Sequence, residues 1–208
     1  MKMKTNIIFK NNRTSKAKEA WNKILINWIK AHQKYMKQCK DDNAYFYNER
    51  ASLSILAAAI WKSNGIAIEE YTSEKKYKNE SFNGRVDLWF QLEKYFCLVE
   101  SKQHFKKLVY KNLTTISKDL DNKMSQSIED AKMSMHSEKN GYAIVFFTPS
   151  YKENKPIDNE AIINEVLKSN FDFIAYVIGD EKNNFEFQKD SKIIYPMGII
   201  IGRKIIGD

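Results

Sequence analysis

The sequence predicts an α/β protein, a three-layer sandwich with a mixed central β-sheet flanked by helices. Three observations predict this fold class. Segments with helical and with strand periodicity alternate along the chain, as in layered α/β folds. Residues 142–148 are almost entirely apolar, like a strand buried on both faces of a sheet. Residues 85–92 and 95–102 have strand composition and flank a short polar turn, which predicts an antiparallel hairpin.

The composition excludes several protein classes. The chain has 208 residues, 43% hydrophobic and 13% aromatic, so it can bury a sizeable core and is not disordered. Two cysteines, Cys39 and Cys97, cannot build a disulfide framework, which indicates a reducing compartment. No apolar run approaches the roughly 18 residues that span a bilayer, and the N-terminus has no apolar signal core. We expect a soluble cytoplasmic protein without membrane association.

The positive charge is concentrated at the N-terminal end. The net charge is +8, and residues 1–48 hold 11 basic and 3 acidic side chains, whereas residues 49–208 hold 23 of each kind. A basic surface confined to one segment favours a polyanionic partner such as nucleic acid. The alternative is a solvated helix in a protein of lysine-rich composition, because the chain has 30 Lys and only 4 Arg.

The first predicted helix begins after the N-cap candidates Thr14 and Ser15 and runs to about residue 40. Its apolar side chains fall on one side at helical spacing, and its lysines cluster on the other. This pattern predicts a packed helix that presents a lysine ridge. The candidate nucleic-acid-binding residues on this ridge are Lys23, Lys30, Lys34 and Lys37. Residues 1–44 are interpreted as a basic helical extension of a domain over residues 45–208.

The second predicted helix covers about residues 45–64 and ends at Gly65. Its apolar stripe includes Leu53, Leu56 and Ile60, and one turn before Leu53 the same stripe reaches Glu49. A carboxylate in line with a buried face needs a partner or a position at the rim. The simpler explanation is an acid favoured by the dipole in the first helical turn. The residues alone leave both explanations open.

The remaining elements follow from the same two periodicities. We predict strands at 66–71, 85–92, 95–102, 142–148, 171–178, 185–188 and 193–201, helices at 113–135 and 159–168, and a polar linker at 72–84. The order of elements through residue 178 is therefore α-α-β-β-β-α-β-α-β, and two short strands follow.

The predicted hairpin carries the candidate chemistry. If its loop is centred on Glu93-Lys94, Asp87 lies opposite Glu100, and Lys102 lies on the same face as Glu100. Like charges placed opposite each other destabilise a sheet, so two such carboxylates need positive charge between them. A divalent metal is the obvious candidate, with Lys102 as a neighbouring cation. Glu/Asp-x-Lys occurs at seven places in the chain, and only the Glu100 copy has this strand context.

At these residues the chain resembles the PD-(D/E)XK nuclease superfamily, the restriction-endonuclease-like fold. The pattern in that superfamily is an acid on a helix, a strand with Asp, a strand that ends in (Asp/Glu)-x-Lys, a helix and another strand. It corresponds here to Glu49, Asp87, Glu100-Ser101-Lys102 and the segments 113–135 and 142–148, over about residues 45–150. Val86 replaces the proline of the motif. No Gln-x-x-x-Tyr follows, so a RecB-like branch is not supported.

The resemblance implies a Mg²⁺-dependent endonuclease that hydrolyses DNA, of restriction or defence type, with Mn²⁺ able to substitute. Asp87 and Glu100 would hold the metal with the Ser101 carbonyl, Glu49 would bind that ion or a second one, and Lys102 would orient or help deprotonate water. The resemblance also implies a homodimer. The alternatives are RNA as the substrate, and a catalytically inactive nucleic-acid-binding or accessory module that retains the fold.

Gln103 and His104 follow the motif closely. They are either contacts to the scissile phosphate or the end of a strand that passes into a loop, and the loop is the favoured interpretation.

Overall fold

Nine strands and four α-helices lie in the part of the chain that the structure, a computed structural model, describes: residues 4–11, 13–39, 42–77, 80–134, 140–179, 185–188 and 191–205. The helices are α1 (Lys16–Gln38), α2 (Glu49–Lys62), α3 (Ile116–Ser134) and α4 (Asn159–Val166). The strands are β1 (Thr5–Phe9), β2 (Ile66–Tyr77), β3 (Glu80–Leu92), β4 (Tyr95–Lys107), β5 (Gly141–Lys152), β6 (Phe173–Ile178), β7 (Phe185–Gln188), β8 (Ser191–Ile194) and β9 (Met197–Ile205). Among the described residues, no helix is both long and apolar enough to cross a membrane.

The strands form a mixed sheet in the order β1-β6-β9-β5-β4-β3-β2. Strands β4 and β5 are parallel, and α3 lies between them in the chain, whereas the other neighbours in this order are antiparallel. Strand β8 pairs with β7 and with the end of β5. The predicted α/β class with a mixed sheet flanked by helices is confirmed.

Two hydrophobic cores lie on opposite faces of this sheet. The first contains the buried faces of α1 and α2, and the second contains those of α3 and α4. Strand β5 contributes to both, because Tyr142, Ile144 and Phe146 belong to the first core and the residues between them to the second. This position between two helical layers explains why residues 142–148 lack the polar alternation of a strand with one solvated face.

Helix α1 is packed as its periodicity predicts. It begins at Lys16, and its N-cap Ser15 accepts a hydrogen bond from the Lys18 backbone N–H through its hydroxyl. Trp21 and Trp28 are almost fully buried in the first core. Strand β1, which the sequence did not reveal, pairs with β6. The segment interpreted as an extension therefore contributes a strand to the sheet and a helix to its main core.

The polar linker predicted over residues 72–84 is wrong. In its place β2 and β3 continue as a long antiparallel hairpin, with a register from Ile66↔Gln91 to Tyr77↔Glu80. The lysine-rich composition of this part, whose described residues 72–77 and 80–84 are here called the distal hairpin, reflects solvent exposure of most of the side chains described there. The strand predicted over residues 193–201 is divided into β8 and β9 around Pro196, which cannot donate to a ladder. Met135, the last residue of the helix predicted over 113–135, lies outside the described residues.

Candidate functional site

The hairpin of β3 and β4 has the predicted register. Its pairs run from Leu92↔Tyr95 to Leu88↔Val99, with the turn at Glu93-Lys94. The next two positions in this register are Asp87 and Glu100. There β3 leaves β4, since β3 continues along β2 while β4 continues along β5. The two carboxylates therefore stand where two neighbouring strands begin to separate.

Asp87 bridges this separation. Its Oδ2 accepts hydrogen bonds from the backbone N–H of Ser101 at 2.7 Å and from the Ser101 hydroxyl at 3.1 Å. Ser101 is fully buried. Its N–H and hydroxyl fix one carboxylate oxygen of Asp87 against β4.

Glu100 is buried and paired with a cation from outside the motif. Only 2% of its surface is exposed, and its Oε1 accepts hydrogen bonds from Lys75 Nζ at 2.8 Å and from the Ser134 hydroxyl at 2.8 Å. Burial and the nearby charge of Asp87 raise the pKa of Glu100 to about 7, although Lys75 and Ser134 act to lower it. From the sequence, we expected a divalent metal beside Glu100, with Lys102 as a neighbouring cation. At Oε1 of Glu100, the cation in the structure is the ammonium group of Lys75.

Lys102 faces α3. Its Nζ lies 2.6 Å from Asp130 Oδ2, and about a quarter of its side chain is exposed. Burial acts to lower the pKa of Lys102, but the hydrogen bond and charge of Asp130, with the charges of Glu49 and Asp87, leave it raised. Lys102 is thus a protonated, oriented cation that interacts with two of the candidate carboxylates.

Glu49 joins the same group of charges from α2. It is the first residue of this helix, after the N-cap Asn48, and its Oε2 accepts a hydrogen bond from the backbone N–H of Gln103 at 2.6 Å. Burial and the charge of Asp87 raise the pKa of Glu49, while the hydrogen bond from Gln103 acts to lower it. Both explanations left open by the sequence hold, because Glu49 lies in the first helical turn and also points to β4.

Gln103 continues β4 and does not begin a loop, so the favoured loop interpretation is wrong. Its side-chain oxygen accepts a hydrogen bond from the Ser52 hydroxyl at 3.0 Å, and its side-chain nitrogen donates to Thr148 Oγ1 at 3.1 Å. The Thr148 hydroxyl in turn donates to the carbonyl of Tyr45 at 3.0 Å. Gln103 thereby ties α2, β4 and β5 together at the residue that holds Glu49.

His104 also lies in β4. Its ring stacks on Phe147, with centroids 5.5 Å apart and planes 19° from parallel. Burial lowers its pKa, opposed by the charge of Asp119. These contacts are those of a packed neutral imidazole.

Sequence reasoning missed three cations near the site. Lys75 lies in the segment interpreted as a linker, and nothing in its local sequence distinguishes it from neighbouring lysines. Arg50 and Arg85 both form ion pairs with Glu70, at 3.2 and 2.7 Å. Arg50 directly follows Glu49 in the sequence, and Arg85 lies two residues before Asp87. The composition could have drawn attention to the two arginines, because the chain has only 4 Arg against 30 Lys.

The four residues of the lysine ridge are all exposed on α1, as predicted. They differ in position along the helix. Lys23 forms an ion pair of 2.6 Å with Glu93 at the turn of the β3–β4 hairpin, six residues along β3 from Asp87. At the other end of α1, Tyr35 donates a hydrogen bond to Asp42, which lies just before the 3₁₀ helix Ala44–Phe46. The carbonyl of Tyr45 in that 3₁₀ helix accepts a hydrogen bond from Thr148, which also contacts Gln103 of the site. Lys34 and Lys37 therefore lie at the end of α1 nearer the candidate site.

The donors fit a hard divalent cation in their chemistry. Within the described residues, no group of three or more His, Cys, Asp or Glu side chains is close enough to enclose a metal ion. Mg²⁺, however, is commonly held by one or two carboxylates and keeps several waters. Asp87 and Glu100 meet that smaller requirement, and each has one carboxylate oxygen outside the hydrogen bonds described above.

No family model matches this chain, and no curated protein sequence matches it significantly. The order of elements behind the resemblance is present in the structure. Helix α2 carries Glu49, β3 carries Asp87, β4 carries Glu100 and Lys102, and α3 and β5 follow. Membership of the PD-(D/E)XK superfamily stays a prediction.

Proposed function

We propose that this chain is a Mg²⁺-dependent endonuclease that hydrolyses phosphodiester bonds in DNA, of the restriction or defence type. One observation carries the proposal: Glu49, Asp87 and Glu100 come from three different elements, and Glu49 and Glu100 each interact electrostatically with Asp87, at the point where β3 leaves β4. Separate elements that hold repelling carboxylates together are typical of functional sites, because such an arrangement costs stability.

Asp87 and Glu100 would hold the Mg²⁺, with the carbonyl of Ser101 as a further oxygen donor. The ion, when bound, stabilises charge on a phosphate and lowers the pKa of a bound water. Glu49, fixed by the Gln103 N–H, would bind a second ion, because it is not close enough to Asp87 and Glu100 to enclose one ion with them. Backbone N–H groups already hold Asp87 and Glu49, and the side chains of Lys75 and Ser134 hold Glu100.

Lys102 would act on the phosphate and the attacking water. Asp130 holds its ammonium group, and a fixed cation beside developing negative charge stabilises a transition state without reorganisation. DNA would be bound by the lysine ridge together with Arg50 and Arg85, whose guanidinium groups suit phosphate geometry. Two copies of the chain in a homodimer would cut the two strands of a duplex.

A second candidate function is favoured by Lys75. Its ammonium group already neutralises Glu100, so the fold can satisfy this carboxylate without any metal. In that case the chain is a catalytically inactive nucleic-acid-binding or accessory module that retains the fold.

Cleavage assays on linear and supercoiled DNA and on RNA, with Mg²⁺ or Mn²⁺, separate these functions. We expect Asp87→Asn, Glu100→Gln and Lys102→Met each to lower the cleavage rate by about 100-fold or more, while DNA binding in Ca²⁺ is retained. Glu93→Gln, at the far turn of the same hairpin, is the matched control and should cleave like the wild type.

Two results contradict the proposal. If Asp87→Asn cleaves at the wild-type rate, the metal assignment is wrong. If the wild type binds DNA but cuts none of the substrates with either ion, the inactive module is the better description.

A further inference from the structure

The ion pair between Lys75 and Glu100 is the most buried one in the described part of the chain. The side chains are 10% and 3% exposed, and Lys75 Nζ lies 2.8 Å from Glu100 Oε1. Lys75 belongs to the distal hairpin, 25 residues before Glu100, so the contact joins β2 to the middle of β4. Ser134 of α3 donates to the same oxygen.

The path of the Lys75 side chain is built into the hairpin. Its aliphatic part crosses Gly84 of β3, where an added Cβ would lie only 2.6 Å from Lys75 Cδ. Tyr71 and Val86, on either side of the hairpin just before this crossing, pack in the second core with α3. The next residue, Lys76, is exposed. The hairpin therefore directs one lysine, and not its neighbour, into the candidate site.

If Glu100 held a divalent cation, this ion would lie within a few ångströms of the Lys75 ammonium group. Two positive charges at this separation repel strongly in a buried site, because little water screens them. Asp87 and Glu100 together balance the two charges of the ion and leave the ammonium group without a counter-charge. Binding of the ion therefore requires that Lys75 withdraw.

We propose that Lys75 is a built-in competitor of the metal: it neutralises Glu100 in the metal-free protein, and loading of a divalent ion displaces it and releases the distal hairpin from α3. This inference rests on the proposed function, since it assumes that Glu100 is a metal ligand. It gives the site a metal-free state in which the buried carboxylate is already compensated.

Calorimetric titration with Mn²⁺, without nucleic acid, tests the competition. We expect Lys75→Met to bind Mn²⁺ at least about tenfold more tightly than the wild type. The matched control Lys76→Met removes an exposed charge next to it and should bind like the wild type. Equal affinities of the wild type and Lys75→Met overturn the proposal, and so does an equal gain in Lys76→Met, which would show a general charge effect.

Two further variants guard against misfolding, because Lys75→Met leaves a buried carboxylate unpaired. Gly84→Ala keeps the lysine but obstructs its path, so it should also tighten Mn²⁺ binding. Lys75→Met/Glu100→Gln removes both charges and should fold without binding Mn²⁺ tightly. Tight binding by this double variant would overturn the proposal, because the site would then not depend on Glu100.

Hydrogen exchange on the wild type provides a readout that needs no variant. If Mn²⁺ displaces Lys75, backbone amides at 72–77 and 80–84 should exchange at least severalfold faster with the ion than without it. Unchanged or slower exchange overturns the proposal.

The outcomes separate this inference from the proposed function. If the wild type and Lys75→Met bind Mn²⁺ equally and the wild type cleaves DNA in a metal-dependent way, the competition by Lys75 is wrong and the nuclease proposal stands. Tighter binding by Lys75→Met without cleavage supports the competition and removes the nuclease. If the wild type and every variant fail to bind Mn²⁺, both proposals are wrong.

Discussion

At the scale of single residues, two buried ionisable side chains are accommodated in different ways. Glu100 has an ion pair with Lys75 and a hydrogen bond from Ser134. His32 is 1% exposed and packs between aromatic rings, edge-on to Trp28 at 4.4 Å between centroids, and burial lowers its pKa to about 3. The folded protein therefore holds His32 as a neutral ring over most of the pH range.

This state of His32 makes folding stability pH-dependent. Because its pKa is about 3 in the fold and about 6.5 in the unfolded chain, its contribution is complete above pH 6.5 and is lost as the pH falls towards 3. We expect His32→Phe, which retains an aromatic ring, to reduce the acid sensitivity. Between pH 6.5 and 5.5 the free energy of unfolding should fall by about 1 kcal/mol more in the wild type than in the variant, measured by urea denaturation.

The comparison with His32→Phe is needed because Glu100 changes the free energy of unfolding with pH in the opposite direction. Its pKa is raised in the fold, so its contribution is complete below about pH 4.5 and is lost as the pH rises through about 7. Subtraction of the two denaturation series cancels this effect. An identical pH dependence in the wild type and His32→Phe would show that His32 does not have the lowered pKa.

Residues of the site differ in how far the sequence could predict them. The register of the hairpin was predicted correctly as far as Leu88↔Val99, because a two-residue turn fixes the register and the register fixes the pairs. Lys75 could not be placed in this way. A lysine can bury its aliphatic part and extend its charge over several ångströms, so its partner depends on how the distal hairpin curves towards α3. That curvature is a tertiary property.

At the scale of elements, α1 combines two functions on opposite faces. Its inner face supplies Trp21 and Trp28 to the first core, and its outer face carries the lysine ridge. Since a helix rises 1.5 Å per residue, Lys23 and Lys37 are about 21 Å apart along its axis. A ridge of this length extends from the β3–β4 turn towards the candidate site, so its lysines are not equivalent.

The position along α1 predicts unequal effects on DNA binding. We expect Lys34→Gln/Lys37→Gln to weaken binding more than Lys23→Gln/Lys30→Gln, because the first pair lies nearer the candidate site and Lys23 is already paired with Glu93. Loss of Lys34 and Lys37 should reduce the steepness of log K against log salt by about 0.9 for each lost phosphate contact. Anisotropy of a labelled duplex in Ca²⁺, measured at several salt concentrations, provides both values.

Each double variant is the control for the other, since both remove two positive charges from the same helix. Equal losses of affinity would show that only net charge matters. A larger loss from the second pair would place the DNA at the β3–β4 turn, away from Asp87.

At the scale of the whole molecule, the sequence predicts the layers better than the limits of the sheet. The apolar run in β5 indicates burial on both faces because no local alternative explains it. Strand β1 has five residues and lies at the edge of the sheet, so its pattern is weak and its pairing with Phe173–Ile178 is set by the long-range fold. The boundary proposed at residue 44 stays a prediction. A concentration of charge was interpreted as a separate segment, although charge patterns do not reveal which side chains are buried behind them.

The burial of α1 leads to a prediction about the whole chain. A protein of residues 45–208 lacks β1 and the face of α1 that fills the first core, including Trp21, Ile24, Leu25 and Trp28. Each such side chain contributes about 1.5–3 kcal/mol by burial, and the total stability of a domain is only about 5–15 kcal/mol. We therefore expect this fragment to show no cooperative thermal transition by circular dichroism.

The matched control is the full chain with Lys23, Lys30, Lys34 and Lys37 all replaced by Gln, which removes the charge of the ridge and keeps the buried face. Since the four lysines are exposed, this variant should melt within a few degrees of the wild type while it loses most of its DNA affinity. A fragment of residues 45–208 that melts cooperatively would instead show that residues 1–44 are an extension in the sense the sequence suggested. Loss of the transition in the fragment, with retention in the lysine variant, would establish that the basic segment is structural on one face and available for binding on the other.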